Sequence, residues 1–284
     1  MNIGINLLLW TLRPTVEHIP LIHKIKEYGY AGVEMEVTEM TEKDAKVIGE
    51  ELKKINMGAT SIMLTPCEIG DPTSESKKER DAALEHIKRC ADRAALLGAD
   101  VMGGPMMEGF GKVVERRVDK GPTEQEIDWV ADTMRRAAEY AKTLNIKIAM
   151  EVVNRFEMRM ANTVGQMMEI VRRADMDNLG LHVDTHHGNI EEANICKAWE
   201  DAADKIFLVH LSENHRGIPG NGPAITPDVF KTLKKIDYQG WATVEAFFLN
   251  QPDMMSARMK IWRKYAKNEE EIAVKGLEYI RQFV

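Results

Sequence analysis

The amino-acid sequence predicts an α/β fold, a single (β/α)8 barrel in which eight parallel strands alternate with helices. Eight short apolar runs with strand-like composition recur, and longer stretches of helical periodicity separate them. The length of 284 residues is close to the roughly 250 residues that such barrels commonly use. A doubly wound open sheet is the alternative, but no GxGxxG motif follows the first run. We therefore expect residues 1–284 to form one barrel domain.

The predicted strands are short, and helical segments separate them, which makes successive strands parallel. They cover residues 3–9, 32–37, 57–64, 100–106, 147–153, 179–184, 207–213 and 241–247. In a closed parallel barrel, the carboxyl ends of all strands open onto one mouth. Side chains near these ends are therefore the first candidates for a functional site.

Helix boundaries are also visible in the sequence. Pro20 suits the first turn of a helix that ends at Gly29. Capping boxes, in which Thr precedes Glu or Gln by three residues, mark two further helix starts: Thr123 with Glu126, and Thr163 with Gln166. Residues 103–122 and 250–267 interrupt the alternation, and we interpret them as lids or interface segments, with plain surface insertions as the alternative.

Composition and charge narrow the function classes. The net charge of −7 and the sequence pI near 5.7 argue against a nucleic-acid or membrane-binding face. The three cysteines are widely spaced and fit neither a disulfide framework nor a CxxC clamp, which favours a reducing compartment. No apolar run reaches the ~20 residues of a membrane helix, and no signal peptide is visible at the start. We expect a cytoplasmic protein with a small-molecule partner.

Four consecutive strands of the second half each carry one metal-type ligand near the carboxyl end. These residues are Glu151, Asp184, His210 and Glu245. A buried carboxylate without a partner is costly, so three in one mouth require positive charge, which one divalent cation can supply. A salt-bridged polar residue is the alternative for each one separately, but it explains four comparable positions poorly.

The ligand set also constrains the metal. Three carboxylates and one imidazole suit Mn²⁺, Co²⁺ or Mg²⁺ better than a thiolate-bound Zn²⁺, although Zn²⁺ also binds such a set. His182 lies two residues before Asp184 on the same strand face, which predicts that it points into the barrel. We interpret His182 as a hydrogen-bonded core residue rather than a fifth ligand.

Three segments resemble the ketose 3-epimerases, the D-tagatose, D-allulose (psicose) and L-ribulose 3-epimerase group of the xylose-isomerase-like TIM barrels. The segments are EVVNRFE at residues 151–157, DTHHGNIEE at 184–192 and HLSENHRGIPG at 210–220. The similarity extends along the whole chain and is strongest over residues 151–247. One departure is His186-His187-Gly188, where the family commonly has Phe-His-Met, which puts the sugar in doubt more than the reaction.

The resemblance implies an isomerase that inverts C3 of a free ketose through a cis-enediolate, with Mn²⁺ or a similar ion on the four ligands. It implies that Glu151 and Glu245 also act as the acid/base pair, one on each face of C3. It further implies a homodimer or homotetramer. Which ketose is the substrate stays open at this point.

The resemblance also implies three residues that hold the O1 and O2 end of an open-chain ketose: Glu157, His187 and Arg216. From the residues alone, Arg216 could instead pair with Glu213, and Glu157 could pair with Arg155 or Arg159. Two neighbouring features have alternative interpretations as well. Cys67 could line the pocket or be a small buried apolar residue, and Phe247 and Phe248 could wall the pocket or belong to the core.

Three other function classes compete with the epimerase. An aldose–ketose isomerase of the same barrel type, similar to hydroxypyruvate or xylose isomerase, would use the same metal with proton transfer between C1 and C2. A DNA-repair endonuclease would need more metal ligands and a basic surface, which the acidic charge disfavours. A catalytically silent sugar-binding barrel would bind a ketose without exchanging its C3 proton.

Overall fold

A computed structural model describes residues 1–111, 121–249 and 259–284. The strands are β1 (Asn2–Asn6), β2 (Gly32–Glu36), β3 (Gly58–Ile62), β4 (Val101–Gly103), β5 (Lys147–Glu151), β6 (Leu179–Asp184), β7 (Ile206–Leu211) and β8 (Trp241–Val244). They form a closed barrel in chain order, and every neighbouring pair is parallel. The predicted (β/α)8 barrel is confirmed, and the open-sheet alternative is wrong.

Most strands end earlier than predicted, because the chain leaves the ladder at the barrel mouth. After β1, for example, Leu7–Leu9 form a short 3₁₀ helix, and the Asn6 side chain accepts a hydrogen bond from the Leu8 N–H. Similarly, β8 ends at Val244, one residue before Glu245. The residues that the longer predicted strands included therefore belong to the loops that surround the mouth.

The helices are α1 (Ile19–Tyr28), α2 (Glu42–Lys54), α3 (Lys77–Leu97), α4 (Glu124–Thr143), α5 (Val164–Ala174), α6 (Thr185–Glu191), α7 (Ile195–Asp201), α8 (Pro227–Lys235) and α9 (Glu269–Ile280). The predicted boundaries are confirmed: Pro20 lies in the first turn of α1, and Gly29 ends it with a φ of 98°. Both predicted capping boxes are present, at Thr123 and at Thr163. None of the described helices is both long and apolar enough to cross a membrane.

Two apolar clusters support the barrel. The larger one joins strand residues such as Val33 to helix residues such as Ile48. The smaller one fills the barrel interior and consists of Leu8, Ile62, Val101, Ala149, Leu208, Trp241, Phe247 and Ile261. Trp241 closes the amino end of the barrel, where a Cβ atom on Gly32 or Gly58 would lie 2.5 Å from its ring. The indole therefore packs between these strands at the amino end, away from the carboxyl ends where the candidate site residues lie.

Candidate active site

The structure brings the four predicted metal ligands together at the barrel mouth. Glu151 and Asp184 are the last residues of β5 and β6. His210 is the penultimate residue of β7, and Glu245 directly follows β8. All four side chains are buried, and strand pairing sets Asp184 beside His210. Four consecutive strands therefore aim three carboxylates and one imidazole at a common centre.

The separations between the ligand atoms are short enough for a shared cation. His210 Nδ1 lies 3.5 Å from Glu245 Oε2 and 3.9 Å from Asp184 Oδ2. The three residues offer ligand atoms within 4.8 Å of one another, and Glu151 forms a similar group with Asp184 and His187. Ligand atoms about 2.1 Å from one ion lie roughly 3 Å apart. Small side-chain shifts would therefore complete coordination.

Glu34, on β2, determines which nitrogen of His210 faces the other ligands. His210 Nε2–H donates to Glu34 Oε2 at 2.5 Å, and both side chains are fully buried. His210 Nδ1 is left without a hydrogen-bond partner in the described part of the chain. An unpaired, buried imidazole nitrogen beside two carboxylates is a donor set that fits a divalent cation. The sequence interpretation missed Glu34.

Arg216 places a positive charge in the same centre. Its Nη1 donates to Asp184 Oδ2 at 3.0 Å and also to Glu245 Oε2, while its Nη2 lies 3.2 Å from His187 Nε2. The guanidinium also lies over the ring of Phe247, 5.4 Å from its centroid. Because Nη1 contacts two candidate metal ligands and Nη2 contacts His187, Arg216 connects the ligand cluster to the predicted substrate-binding His187.

The backbone of Arg216 is strained to achieve this position. Its φ is 60°, a left-handed conformation that costs a non-glycine residue about 1 kcal/mol. The Arg216 N–H donates to the Glu213 carbonyl, and the Phe247 N–H donates to the Arg216 carbonyl. The Glu213 carboxylate accepts the N–H groups of Gly220 and Ala224 instead of pairing with the guanidinium. The alternative side-chain pair of Arg216 with Glu213 is therefore wrong.

His187 is oriented by Asn154, which the sequence interpretation did not single out as a site residue. The backbone N–H and the side-chain amide of Asn154 donate to His187 Nδ1, at 3.3 and 2.8 Å. The same amide donates to Glu157 Oε1 at 2.8 Å. The proton of neutral His187 is therefore on Nε2, which lies 3.5 Å from Glu151 Oε1. Asn154 joins the predicted substrate contacts Glu157 and His187 into one group.

The two predicted catalytic carboxyls have opposite pKa shifts. Burial raises the pKa of Glu151, and this effect exceeds the lowering by the neighbouring His187. Burial also acts on Glu245, but the positive charges of Arg216 and His210 lower the pKa of Glu245 well below its usual value. Two buried carboxyls in one site with pKa values pushed apart are a common basis for an acid and a base at the same pH.

Two further sequence interpretations are wrong. His182 does point into the barrel, where its ring lies 4.0 Å from that of His210, but neither of its nitrogens has a hydrogen-bond partner among the residues described. It is thus buried without the hydrogen bonds that we expected. Arg155 and Arg159 do not pair with Glu157, because their nearest carboxylates belong to other residues, Glu191 and Glu126.

Other expectations near the mouth have mixed outcomes. Phe247 belongs to an apolar cluster and lies under the Arg216 guanidinium, and Phe248 packs partly buried against the larger cluster, so both contribute to the core. Their role as walls of a substrate pocket stays a prediction. Cys67 is half-buried, and its thiol donates to Glu68 Oε1. The central parts of the two long segments, residues 112–120 and 250–258, lie outside the described residues. Their interpretation as lids stays a prediction.

Comparison with known proteins places this geometry in a family. A sequence model of the family described as "Xylose isomerase-like TIM barrel" matches residues 22–283. A "Ketose 3-epimerase" from Arthrobacter globiformis is 30% identical over 99% of this chain and 96% of its own length. The chain belongs to the ketose 3-epimerases of the xylose-isomerase-like TIM barrels. It is therefore an enzyme of the isomerase class, and the predicted resemblance is confirmed.

Two other ketose 3-epimerases show how closely the fold is shared. An "L-ribulose 3-epimerase" from Methylomonas sp. (strain DH-1) is 30% identical over 89% of this chain and 87% of its own length. The crystal structure of a D-allulose 3-epimerase from Methylomonas sp. in complex with D-allulose superposes with a TM-score of 0.90 at 26% identity, covering 100% of this chain and 97% of that one. Related epimerases with the same barrel thus act on different ketoses.

Proposed function

We propose that this protein is a divalent-metal-dependent ketose 3-epimerase that inverts C3 of a free ketohexose or ketopentose. Candidate substrate pairs are D-tagatose/D-sorbose, D-fructose/D-allulose and L-ribulose/L-xylulose. The observation that carries the proposal is the convergence of four buried candidate ligands on a centre where His210 Nδ1 has no hydrogen bond. The names of the relatives, which include L-ribulose and D-psicose 3-epimerases, support the ketose class.

The metal would be held by Glu151, Asp184, His210 and Glu245. The oxygen-rich set favours Mn²⁺, with Co²⁺ or Mg²⁺ as alternatives. When bound, the ion supplies Lewis-acid polarisation of the C2 carbonyl and compensates negative charge on the substrate oxygens. Because the ligand carboxylates are buried, such a cation would also relieve the electrostatic cost of holding them together.

Glu151 and Glu245 would exchange the proton at C3. One carboxylate would remove the proton, the electron pair of the broken C–H bond would form the C2–C3 double bond, and the carbonyl π pair would move onto O2 to give a cis-enediolate. The other carboxyl group then donates a proton to the opposite face of C3, which inverts the centre. The two residues come from β5 and β8, three positions apart around a ring of eight strands, so they approach the mouth from well-separated directions.

Three other residues would hold and polarise the reacting end of the sugar. The guanidinium of Arg216 and the Nε2–H of His187 are donors already aimed at the centre, where they can stabilise the negative charge of the enediolate. Glu157, oriented by Asn154, would accept a hydrogen bond from a substrate hydroxyl. Since these donors are fixed by protein contacts before substrate binds, little reorganisation is needed during the reaction.

Proton exchange at C3 tests the proposal against its competitors. The Mn²⁺-loaded protein should convert at least one of D-fructose, D-tagatose and L-ribulose to its C3 epimer in D₂O, with deuterium appearing at C3 in the NMR spectrum. Formation of an aldose without any C3 epimer would instead identify an aldose–ketose isomerase. Binding of a ketose without deuterium incorporation would identify a silent sugar-binding barrel, and cleavage of an abasic duplex would identify an endonuclease.

A further inference from the structure

A group of buried polar side chains from the first half of the barrel contacts the predicted metal ligand His210. Its centre is Glu34 of β2, which is 0% exposed. Glu34 Oε1 accepts the Thr60 hydroxyl of β3 at 2.8 Å, and Glu34 Oε2 accepts the Asn6 amide of β1 at 2.9 Å. The same Oε2 accepts His210 Nε2–H from β7. One buried carboxylate thus connects four strands of the barrel.

Hydrogen bonds fix the orientation of the Asn6 and Glu34 side chains in this group. The Asn6 amide can be oriented in only one sense, because its Oδ1 accepts the Leu8 N–H at 2.8 Å while its Nδ2 donates to Glu34. Glu34 cannot rotate without breaking three hydrogen bonds. A buried acceptor with three donors is costly to disturb, since each orphaned donor would lose its partner in a site without exposure to solvent. The position of Glu34 is therefore set by β1 and β3 as well as by its contact with His210.

We propose that Glu34 is a positioning residue for the metal centre. It holds His210 in the Nε2–H tautomer and directs the Nδ1 lone pair at Asp184 and Glu245. The carboxylate also makes the imidazole a stronger donor to a cation, as outer carboxylate partners of metal-binding histidines do. The proposal rests on the proposed metal-dependent function and adds a residue from the first half of the barrel to it.

Metal binding, measured apart from activity, tests this role. Mn²⁺ would be titrated calorimetrically into metal-stripped wild type and into the Glu34→Gln variant. Gln occupies the same volume but can present an amide N–H to His210, so both tautomers become accessible. We expect the dissociation constant for Mn²⁺ to be about 10- to 100-fold higher in Glu34→Gln than in wild type. This is the loss of metal affinity typical when a metal-binding histidine loses its hydrogen-bonded carboxylate.

Glu36→Gln is a matched control, because Glu36 lies two residues along β2 on the same strand face and is also buried. Its carboxylate accepts the Thr38 N–H and not His210. We expect Glu36→Gln to bind Mn²⁺ as wild type does, and Thr60→Val, which removes only one donor to Glu34, to weaken binding much less than Glu34→Gln. Equal weakening in all three variants would contradict a specific positioning role.

The tautomer of His210 gives a second readout that needs no variant. In Mg²⁺-loaded wild type labelled with ¹⁵N-histidine, the His210 ring should show a protonated Nε2 with a hydrogen-bonded, downfield proton. A protonated Nδ1 would overturn the proposal even if Glu34→Gln failed to fold. Mn²⁺ affinity in Glu34→Gln equal to wild type would also overturn it while leaving the proposed epimerase intact. Absence of Mn²⁺ binding by wild type would instead contradict the metal-dependent function itself.

Discussion

The two halves of the barrel contribute different chemistry. Strands β5 to β8 place Glu151, Asp184, His210 and Glu245 at or next to their carboxyl ends, where the side chains reach the mouth. Strands β1 to β3 contribute Asn6, Glu34 and Thr60, and Glu34 contacts the other two residues and His210. The second half thus offers groups to a ligand, whereas the first half holds one of those groups in place.

This difference shows that the same residue type can have two different uses in one barrel. Glu151 lies beside His187 and His182 without a close hydrogen bond to either, so its oxygens remain accessible to a cation or a substrate. Glu34 has all its oxygens engaged by protein donors. A buried carboxylate with free acceptor capacity is suited to chemistry, and a saturated one is suited to support.

The largest expected effect is on the rate of the reaction in which residues of the second half would take part. Glu151→Gln keeps the shape of the side chain but cannot take or return a proton, so the rate of C3 epimerisation should fall about 10²- to 10⁴-fold. Turnover of the best ketose and deuterium incorporation at C3 would measure it. Glu27→Gln, on the exposed face of α1, is the control and should behave as wild type. Retention of activity in Glu151→Gln would remove Glu151 from the acid/base pair.

The carboxyl group of Glu36, in the first half of the barrel, should instead affect the free energy of unfolding. Burial raises the pKa of Glu36 to about 7 from an ordinary value of 4.5. The folded protein therefore keeps a proton that the unfolded chain releases between these two values, so stability falls as the pH rises through this window. Above it the loss amounts to roughly 3 kcal/mol.

Glu36→Gln removes this titration and retains an acceptor for the Thr38 N–H. The variant should match wild type near pH 4 and exceed it in free energy of unfolding near pH 8, as urea denaturation at both pH values would show. A stability difference that does not grow with pH would contradict the raised pKa of Glu36.

Arg216→Lys, also in the second half of the barrel, should lower kcat/KM by an intermediate amount. Lysine keeps the charge, but one ammonium cannot reproduce both the contacts of Nη1 with Asp184 and Glu245 and the packing of the planar guanidinium over Phe247. Losing one charge-assisted hydrogen bond costs about 1.5–3 kcal/mol, which corresponds to a 10- to 150-fold lower kcat/KM. Steady-state kinetics would measure it. A Lys variant with wild-type kcat/KM would show that charge alone suffices.

The smallest expected effect concerns His182, which belongs to the second half but makes no hydrogen bond within the described chain. His182→Leu removes two buried, unpaired nitrogens at similar volume, so the free energy of unfolding should stay constant or rise by about 1 kcal/mol. Thermal unfolding and Mn²⁺ titration would be measured together. A marked loss of Mn²⁺ affinity would reverse the interpretation and make His182 a metal ligand.

The fold was largely predictable because barrel strands and helices have distinct local patterns. The capping pairs at Thr123 and Thr163 and the helix end at Gly29 depend on neighbouring residues alone, and all three are confirmed. Strand ends were less predictable. Residues 7–9 are as apolar as a strand, but hydrogen bonding around Asn6 turns them into a 3₁₀ helix.

The convergence of the four candidate ligands of the second half was predictable because each lies at or next to the carboxyl end of an apolar strand. Glu34 was missed, although a signal was present: Glu34 and Glu36 alternate with Val33, Met35 and Val37 in a strand of a parallel sheet, where both faces are usually buried. Its partner His210 lies 176 residues away along the chain, so only the closure of the barrel brings them together. Likewise, the lack of a hydrogen-bond partner for His182 among the described residues depends on which distant strands the closed barrel brings next to it.

Trp241 of β8 packs against Gly32 of β2 and Gly58 of β3 at the amino end of the barrel, where a Cβ atom on either glycine would lie 2.5 Å from its ring. One side chain thus fixes the spacing of two other strands, since neither glycine can gain even a methyl group unless the indole moves. The amino end of the barrel therefore tolerates little change in sequence at these three positions.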